Sequence, residues 1–258
     1  MNRANSRIEM SRRGAIGGLA VGSGLLLAGC DRVATTKAAK GAFQGAETLT
    51  YRVSRLITAR DALAPQFTGA DISRVFRSNG TAMPGSPEYA QLLAGNFADW
   101  RLHVGGLVAR PLAISLDRLK ALPQRTQITR HDCVEGWSAI GQWTGPVLGP
   151  ILQFAGLSSA ARYIVFHCYD DFGGATYYES IDLIDAFHPQ TILAWSLNNQ
   201  PLPVPNGAPV RLRVERQLGY KHAKYLRAIE AVASLDQIGG GKGGFWEDSS
   251  DYAWFAGI

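Results

Sequence analysis

The stretch that decides the fold runs from Thr129 to Trp143, TRHDCVEGWSAIGQW, with Cys133 at its centre. The residues Thr126 to Arg130 predict a strand that ends just before this cysteine. The residues 135–137, Glu-Gly-Trp, follow at once and indicate a shaped loop that presents a thiolate. The residues alone leave a second interpretation open and favour it: a free cysteine is commonly buried and packs like a small hydrophobe.

The run Arg130 to Ser138, RHDCVEGWS, followed by Trp143, Gly145 and Leu148, resembles the cofactor loop of the sulfite-oxidase-like molybdopterin oxidoreductases. The Cys-Val-Glu order is similar to the bacterial exported branch of that family, which includes the catalytic subunits of periplasmic methionine sulfoxide reductases. The Cys-Ala-Gly-Asn order of eukaryotic sulfite oxidases is absent. The resemblance therefore points away from sulfite as the substrate.

A second block, Asn206 to Leu212 (NGAPVRL) followed by Gly219 to Lys224 (GYKHAK), resembles the other pterin-binding region of the same family. The two blocks come in the family's order and lie far apart in the sequence. The resemblance extends from about Phe76 to Ile258. It implies an α+β chain with the sulfite-oxidase-type molybdopterin-binding fold, built of mixed β-sheets and short helices.

The resemblance also implies molybdenum-molybdopterin (Mo-MPT) as the cofactor and Cys133 as the catalytic residue and single protein ligand of the metal. Molybdenum needs soft sulfur donors, which a thiolate supplies. Cys168 falls near a position where the periplasmic methionine sulfoxide reductases have a threonine at the cofactor. The cofactor-binding residues carried over from the family are Asn79, Cys133, Cys168, Asn206, Arg211, His222, Ala223 and Lys224.

The chemistry of these side chains suits a polar ligand that carries a phosphate. Arg211 offers a planar fork of donors, and Lys224 offers a compact positive charge. His222 and Ala223 occupy positions where backbone groups make the contact. Asn79 belongs to VFRSNG, which resembles the family's first pterin-contacting segment, although Asn-Gly is also a common tight turn.

The composition limits the classes of protein to which the chain can belong. The chain has 258 residues, 46% hydrophobic and 18% charged, which predicts a globular protein with room for one good-sized domain or two small ones. The net charge is +5, but residues 1–29 carry four arginines and one glutamate, so little positive charge remains elsewhere. Without a basic run, we expect no nucleic-acid binding.

The N-terminal residues have the pattern of an export signal. Ser11-Arg12-Arg13 precedes the short apolar stretch Ala15 to Gly29, the pattern of a twin-arginine leader, which predicts folded export to the periplasm. Leu27 to Cys30, LAGC, is similar to a lipobox, so Cys30 is expected to carry a lipid anchor at the inner membrane. A plain cleavage site and an uncleaved anchor remain alternatives.

The predicted domains are a signal over residues 1–29, a tether with a short helix over 30–64, and the molybdopterin-binding oxidoreductase domain over 65–258. Glu47 to Leu63 has the apolar spacing of a short amphipathic helix, or is a solvated linker. The other predicted helices are Ser115–Leu122, which begins with a capping serine, Pro146–Ala155, which stops at Gly156, and Leu183–Phe187. A turn is predicted at Asn198-Asn199. The predicted strands are Val75–Gly80, Trp100–Val108, Thr126–Arg130, Tyr163–Tyr169, Tyr177–Ile181, Ile192–Leu197, Val210–Val214 and Tyr225–Leu235.

The three cysteines, Cys30, Cys133 and Cys168, argue against a disulfide framework. A single disulfide between Cys133 and Cys168 stays open in an oxidising compartment.

The glycine-rich stretch Gly239 to Gly244 lacks the spacing of a nucleotide-binding loop, and no helical pattern follows it. We interpret it as a hinge before an aromatic tail that packs on the domain. The tail's rings are Phe245, Trp246, Tyr252, Trp254 and Phe255.

The function predicted from these features is a two-electron redox reaction or oxygen-atom transfer on a small molecule or a sulfoxide-type side chain. No C-x-x-C-H motif occurs, so electrons are exchanged with an external carrier such as a membrane cytochrome. A monomer is expected. Two alternatives remain: a cysteine-nucleophile hydrolase that uses Cys133 with His131 or His167, and a non-catalytic lipoprotein with a cofactor fold.

Overall fold

The computed structural model describes residues 36–258. The described part of the chain divides into two compact units between Val53 and Ser54. The predicted signal and the predicted lipid site at Cys30 lie outside the described residues. No helix within residues 36–258 has the length and apolar character needed to cross a membrane.

The helices and strands follow one another in short elements. The α-helices of the described chain are α1 (Lys37–Ile57), α2 (Pro87–Ala94), α3 (Leu116–Lys120), α4 (Leu148–Ala155), α5 (Leu183–Ala186) and α6 (Phe245–Ser250). The strands are β1 (Arg101–Gly106), β2 (Leu112–Ser115), β3 (Gln124–Asp132), β4 (Ser138–Pro146), β5 (Tyr163–Phe172), β6 (Ala175–Asp182), β7 (Ile192–Ala194), β8 (Ser196–Leu197), β9 (Gln200–Pro201), β10 (Arg211–Arg213) and β11 (Leu226–Val232).

Three sheets organise the second unit. The largest has the strand order β2-β1-β11-β5-β6, in which β1 and β11 run parallel and the other neighbours antiparallel. A second sheet has the order β3-β4-β8-β9, and β10 pairs with β7 in a third. Mixed sheets with short helices confirm the predicted α+β class.

The main core lies around the five-stranded sheet, where β5 buries Ile164, Phe166 and Cys168. The buried face of β3 is different because its side chains are polar. Gln127 and His131 on that face contact an internal ion pair described below. The strand that leads to Cys133 is therefore fixed by hydrogen bonds as well as by apolar packing.

Local signals in the sequence set several element ends. The Ser115 hydroxyl accepts a hydrogen bond from the Arg118 amide at 3.2 Å and caps α3, as predicted. Gly156, with φ of 73°, ends α4 in the left-handed conformation that glycine adopts without steric cost. Asn198 and Asn199 both have positive φ and form the predicted turn between β8 and β9.

The predicted helix over Glu47–Leu63 is wrong in its bounds, because α1 begins at Lys37 and ends at Ile57. Beyond the helix, the side chain of Gln190 bonds to the backbone of Ala64. Its Oε1 accepts from the Ala64 amide at 2.7 Å, and its Nε2 donates to the Ala64 carbonyl at 3.2 Å. This long-range contact holds the chain around Ala64 in a non-helical conformation, which the local helical pattern could not indicate.

The predicted strand over Val75–Gly80 is also wrong, since this segment belongs to no strand ladder. The Lys224 ammonium fixes the end of this segment by donating to the carbonyls of Asn79 and Thr81 at 2.7 and 2.6 Å. A distant side chain supplies the hydrogen bonds that a neighbouring strand would have made.

Two further expectations are corrected. The predicted strand Ile192–Leu197 is divided at Trp195, where the chain passes from the β10–β7 pair to β4. A helix, α6, follows the glycine-rich stretch directly. The carboxylate of Asp248 on this helix accepts from the Gly240 and Lys242 amides, so contacts across the loop stabilise a helix too short to be read from periodicity.

Candidate functional site

A cavity opens beside the loop that carries Cys133. It encloses about 690 Å³, counted to its open mouth. It is built from the segment after Phe76, the Cys133 loop, the β5–β6 hairpin, β10, the GYKHAK segment and α6. Its lining residues are Asn79, Gly80, Thr81, Val134, Glu135, Asp170, Phe172, Tyr177, Arg211, Gly219, Tyr220, His222, Lys224, Trp246 and Tyr252.

Cys133 lies at the end of β3 in a tight loop. Its amide donates to the Trp137 carbonyl at 2.9 Å, and its carbonyl accepts from the Gly136 amide at 3.1 Å. The Asn79 side chain donates to the sulfur, with 3.5 Å between Nδ2 and Sγ. Burial raises the pKa of the thiol, while the hydrogen bonds from the Glu135 backbone and from Asn79 lower it. These donors favour the thiolate, the form that binds metal.

Arg211 lies on β10 and is buried, with both terminal nitrogens bonded to backbone carbonyls. Nη1 donates to Asn206 at 2.9 Å and Nη2 to His222 at 3.0 Å. Burial, together with the nearby charge of Arg213, lowers its pKa to about 9. Nε of Arg211 has no hydrogen-bond partner. The guanidinium therefore joins the two predicted cofactor segments and keeps one donor for a ligand.

His222 supplies an unpaired acceptor. Its Nε2 lies 3.0 Å from the Gln217 carbonyl, so this nitrogen carries the proton and Nδ1 is the acceptor. Nδ1 is buried and has no partner. Burial, the charge of Arg213 and the proximity of His131 lower the pKa of His222 well below its usual value, so the ring is neutral.

Lys224 lies between the two segments that flank the cavity. Its ammonium donates to the carbonyls of Asn79, Thr81 and Pro205 at 2.7, 2.6 and 3.0 Å. Burial and the charge of Arg211 lower its pKa to about 7. Three carbonyl acceptors use all three protons of the ammonium form, so the segment after Phe76 is held best while Lys224 is charged.

Asp170 is a cavity residue that the sequence reasoning missed. It follows Cys168 at a register shift in the β5–β6 ladder, and its Oδ1 is buried without a partner. Burial raises its pKa to about 6, while the charge of Lys224 lowers it. The available signal was a carboxylate at the end of a buried strand, two residues beyond a predicted cofactor position.

These unpaired atoms test whether the cavity suits the cofactor that the resemblance implies. Buried polar atoms without partners are rare in proteins and require an explanation. Among the residues that line the cavity, Arg211 Nε is an unpaired donor, whereas His222 Nδ1 and Asp170 Oδ1 are unpaired acceptors. Asn206 Nδ2, outside the lining, is a further unpaired donor. A pterin offers both donors and acceptors around its rings, and its phosphate accepts further bonds. The residues present therefore fit such a group.

Four of the predicted residues lie outside the lining of the cavity: Cys133, Cys168, Asn206 and Ala223. Of these, Cys168 and Ala223 are buried in the main core. Burial raises the pKa of the Cys168 thiol well above its usual value. Their cofactor roles stay predictions, as does the ligand role of Cys133. Cys133 and Cys168 are both free thiols, so the alternative of a disulfide between them is wrong.

The environment of His131 disfavours the hydrolase alternative. Its Nδ1 accepts from Arg213 at 2.9 Å, and burial together with Arg213 lowers its pKa well below the usual value. Among residues 36–258, no histidine makes a hydrogen bond to Cys133, whereas a nucleophilic cysteine needs a base within reach. His167 bonds instead to Glu230 at 2.9 Å.

Arg130 and Glu135, at the two ends of this loop, have different partners. Arg130 pairs with Asp132 at 2.9 Å, and Glu135 accepts from the Trp137 indole at 3.0 Å. Trp143 is fully buried in the core. Glu135 is exposed at the cavity, so it is available to a ligand rather than committed to a salt bridge.

Comparisons with known proteins agree with this geometry. The family described as "Oxidoreductase molybdopterin binding domain" matches residues 90–237. The chain is 38% identical over 251 residues to the putative protein-methionine-sulfoxide reductase subunit YedZ1 of Azospira oryzae, covering 97% of this chain and 87% of that protein. It is 34% identical over 172 residues to the protein-methionine-sulfoxide reductase catalytic subunit MsrP of Xanthomonas axonopodis pv. citri, covering 62% of this chain and 52% of the relative.

Among solved structures, the sulfane dehydrogenase SoxCD of Paracoccus pantotrophus matches with a TM-score of 0.50 and 21% identity. The match covers 53% of this chain and 39% of that one. At this identity the likeness concerns the fold, and it agrees with the predicted sulfite-oxidase-type architecture.

Proposed function

Because this chain belongs to the oxidoreductase molybdopterin binding domain family, it is a molybdopterin-dependent oxidoreductase with molybdenum-molybdopterin as its cofactor, and we propose that it reduces sulfoxides. Two relatives are named as methionine sulfoxide reductase subunits, which supports this substrate class. The reaction takes up two electrons and two protons. The sulfur–oxygen bond breaks, and the products are a thioether and water.

The observation that carries the proposal is the convergence of Asn79, bonded to the Cys133 sulfur, with the unpaired polar atoms at one cavity. The bound cofactor would supply the two-electron redox chemistry, which protein side chains do not provide. Cys133 would be the single protein ligand of the metal, positioned by the donors at its sulfur. Asn206, Arg211, His222 and Lys224 would hold the organic part of the cofactor.

We propose that Asn79 also contacts the cofactor and that Cys168 and Ala223 support it from the core side. Electrons would come from an external one-electron carrier, and a membrane cytochrome fits a protein held at a membrane. The proposed signal over residues 1–29 and lipidation at Cys30 would place the domain, residues 65–258, in the periplasm. A tether over 30–64 would precede this domain. We expect the protein to be a monomer.

The proposed function is tested on protein exported with its own leader in a molybdenum-replete host. Metal analysis and pterin fluorescence should find the cofactor, and reduced viologen should be oxidised on adding methionine sulfoxide or dimethyl sulfoxide. Cys133→Ser is the control and should abolish both signals with the fold kept. Protein free of molybdenum, or loaded protein that reduces no sulfoxide, would overturn the proposal.

A further inference from the structure

Four aromatic rings line the cavity, Phe172, Tyr220, Trp246 and Tyr252, which we call the aromatic wall. Tyr252 stacks on Trp246 at 6.0 Å between centroids and meets Tyr220 edge-on at 5.1 Å. Phe172 lies 5.4 Å from Trp246. The four rings form a continuous surface although they come from three separate segments of the chain.

The aromatic wall and the proposed cofactor residues lie at different depths. Tyr252 is 36% exposed, Trp246 and Phe172 are half-buried, and Tyr220 is buried. Arg211 is only 2% exposed. Val134 and Glu135 are exposed and line the cavity as well. The cavity therefore has a polar inner end and a mainly aromatic outer part, with the Glu135 carboxylate beside it.

Buried ionic and polar contacts hold the segment that carries Trp246 and Tyr252. The Lys221 ammonium bonds to Glu247 at 2.8 Å and also to Glu179, and all three side chains are fully buried. Asp248 accepts from the Gly240 and Lys242 amides at 2.6 and 3.0 Å. These two loop amides therefore fix α6 and are not available to an outside anion. The rings of Trp246 and Tyr252 are held in a defined position.

We propose that Trp246 and Tyr252 of the aromatic wall determine which sulfoxide the site prefers, because they bind the aliphatic part of a methionine sulfoxide side chain and so favour it over dimethyl sulfoxide. This inference rests on the proposed function. Methionine sulfoxide joins a polar S=O group to an unbranched aliphatic chain. The wall offers uncharged ring faces to the apolar part, and contacts between sulfur and aromatic rings are favourable. The polar inner end of the cavity then binds the oxygen of the sulfoxide.

The preference is measured as a ratio, so that a general loss of activity does not imitate it. In Tyr252→Ala and Trp246→Ala, the ratio of kcat/KM for N-acetylmethionine sulfoxide to that for dimethyl sulfoxide should fall about tenfold, equivalent to roughly 1.4 kcal/mol. Trp246→Phe should restore most of the ratio because it keeps a ring. Phe154→Ala, which removes an exposed ring outside the cavity, should leave the ratio unchanged.

Binding is measured separately with N-acetylmethionine sulfone, an analogue without the reducible sulfoxide group, by titration calorimetry on cofactor-loaded protein. Its affinity should fall about tenfold in Tyr252→Ala. Pterin content and circular dichroism are recorded for each variant. An unchanged ratio and unchanged sulfone affinity would overturn the inference. So would loss of pterin from the folded Tyr252→Ala and Trp246→Phe variants, which would assign the wall to the cofactor. Failure of the wild type to reduce any sulfoxide would instead overturn the proposed function.

Discussion

The side-chain amide of Asn79 donates to the sulfur of Cys133, with Nδ2 and Sγ 3.5 Å apart. The same residue accepts through its backbone carbonyl from the Lys224 ammonium at 2.7 Å. One residue thus links the proposed metal ligand to Lys224, whose positive charge lies at the cavity. The two contacts can be separated by mutation, because only the first uses the side chain.

We expect Asn79→Leu to retain molybdenum and to lower the midpoint potential of the metal. The variant removes the amide donor, which leaves more electron density on the sulfur, and ligand hydrogen bonding tunes metal centres in this way. The lysine contact to the backbone remains possible in the variant. Metal analysis and an EPR-monitored redox titration check this prediction. An unchanged potential in fully loaded protein would contradict it.

Cys133→Ser should lose at least about nine-tenths of its molybdenum, because a hydroxyl is a harder and more weakly coordinating donor than a thiolate. Thermal unfolding should show that the fold persists. Cys168→Ala is the control, since it removes the other described thiol without removing the proposed ligand. Equal metal loss in the two variants would refute the assignment of Cys133 as the sole protein ligand.

The affinity of cofactor-free protein for sulfate, which stays a dianion at these pH values and stands in for the cofactor's phosphate, should fall as pH rises through 7. Burial and Arg211 lower the pKa of Lys224 to about 7, so this lysine is mostly positive below that pH and mostly neutral above it. Asp170, with a pKa of about 6, acts in the same direction because it becomes negative as pH rises. Burial keeps His131 and His222 neutral throughout this range, and Arg211, with a pKa of about 9, remains mostly charged.

Between pH 6 and pH 8.5, we expect roughly a tenfold loss of sulfate affinity, measured by titration calorimetry. Lys224→Arg should flatten the profile, because a guanidinium keeps its charge in this range. Asp170→Asn isolates the contribution of the carboxylate. A wild-type profile independent of pH would show that the charge of Lys224 does not act on an anion in the cavity.

Glu215→Ala should destabilise the protein by about 3–5 kcal/mol, the cost typical of leaving a buried charge unpaired. Glu215 accepts from Arg213 Nε and Nη2 at 2.9 and 2.6 Å, and both side chains are fully buried. Urea unfolding measures the change. Glu230→Ala is the matched control, because the partly exposed pair of Glu230 with His167 should contribute less than about 1 kcal/mol. Similar losses in both variants would contradict the prediction.

Asp248→Ala should loosen the C-terminal segment. Its carboxylate accepts from two loop amides and from the Tyr178 hydroxyl, and each hydrogen bond to a charged group contributes about 1.5–3 kcal/mol. Hydrogen exchange should accelerate over residues 239–252 and remain unchanged in β5. Ser249→Ala, on the exposed side of the same helix, serves as the control. Faster exchange throughout the domain would indicate general destabilisation instead.

The sequence was sufficient where a signal is local. The capping Ser115, the αL glycine at Gly156 and the paired asparagines at Asn198 each act through contacts within a few residues. The two family blocks around Cys133 and Arg211 could likewise be recognised in the sequence alone, because the spacing of residues within each block is itself a local property. The family and its cofactor followed from these blocks.

Long-range contacts account for what the sequence did not reveal. The strand expected over Val75–Gly80 is replaced by an irregular segment that the distant Lys224 holds. The helix over residues 245–250 depends on Asp248 reaching back to a glycine-rich loop. Neither contact has a periodicity that can be read along the chain.

The sequence by itself determined the fold class, the family and the position of the two family blocks, because these depend on residue types at fixed local spacing. Only the tertiary structure decided which of their side chains line the cavity, which polar atoms remain unpaired, that Asp170 joins them, and that Trp246 and Tyr252 line the same cavity. Hydrogen-bond satisfaction and burial depend on segments far apart in sequence, and those segments meet only when the chain has folded.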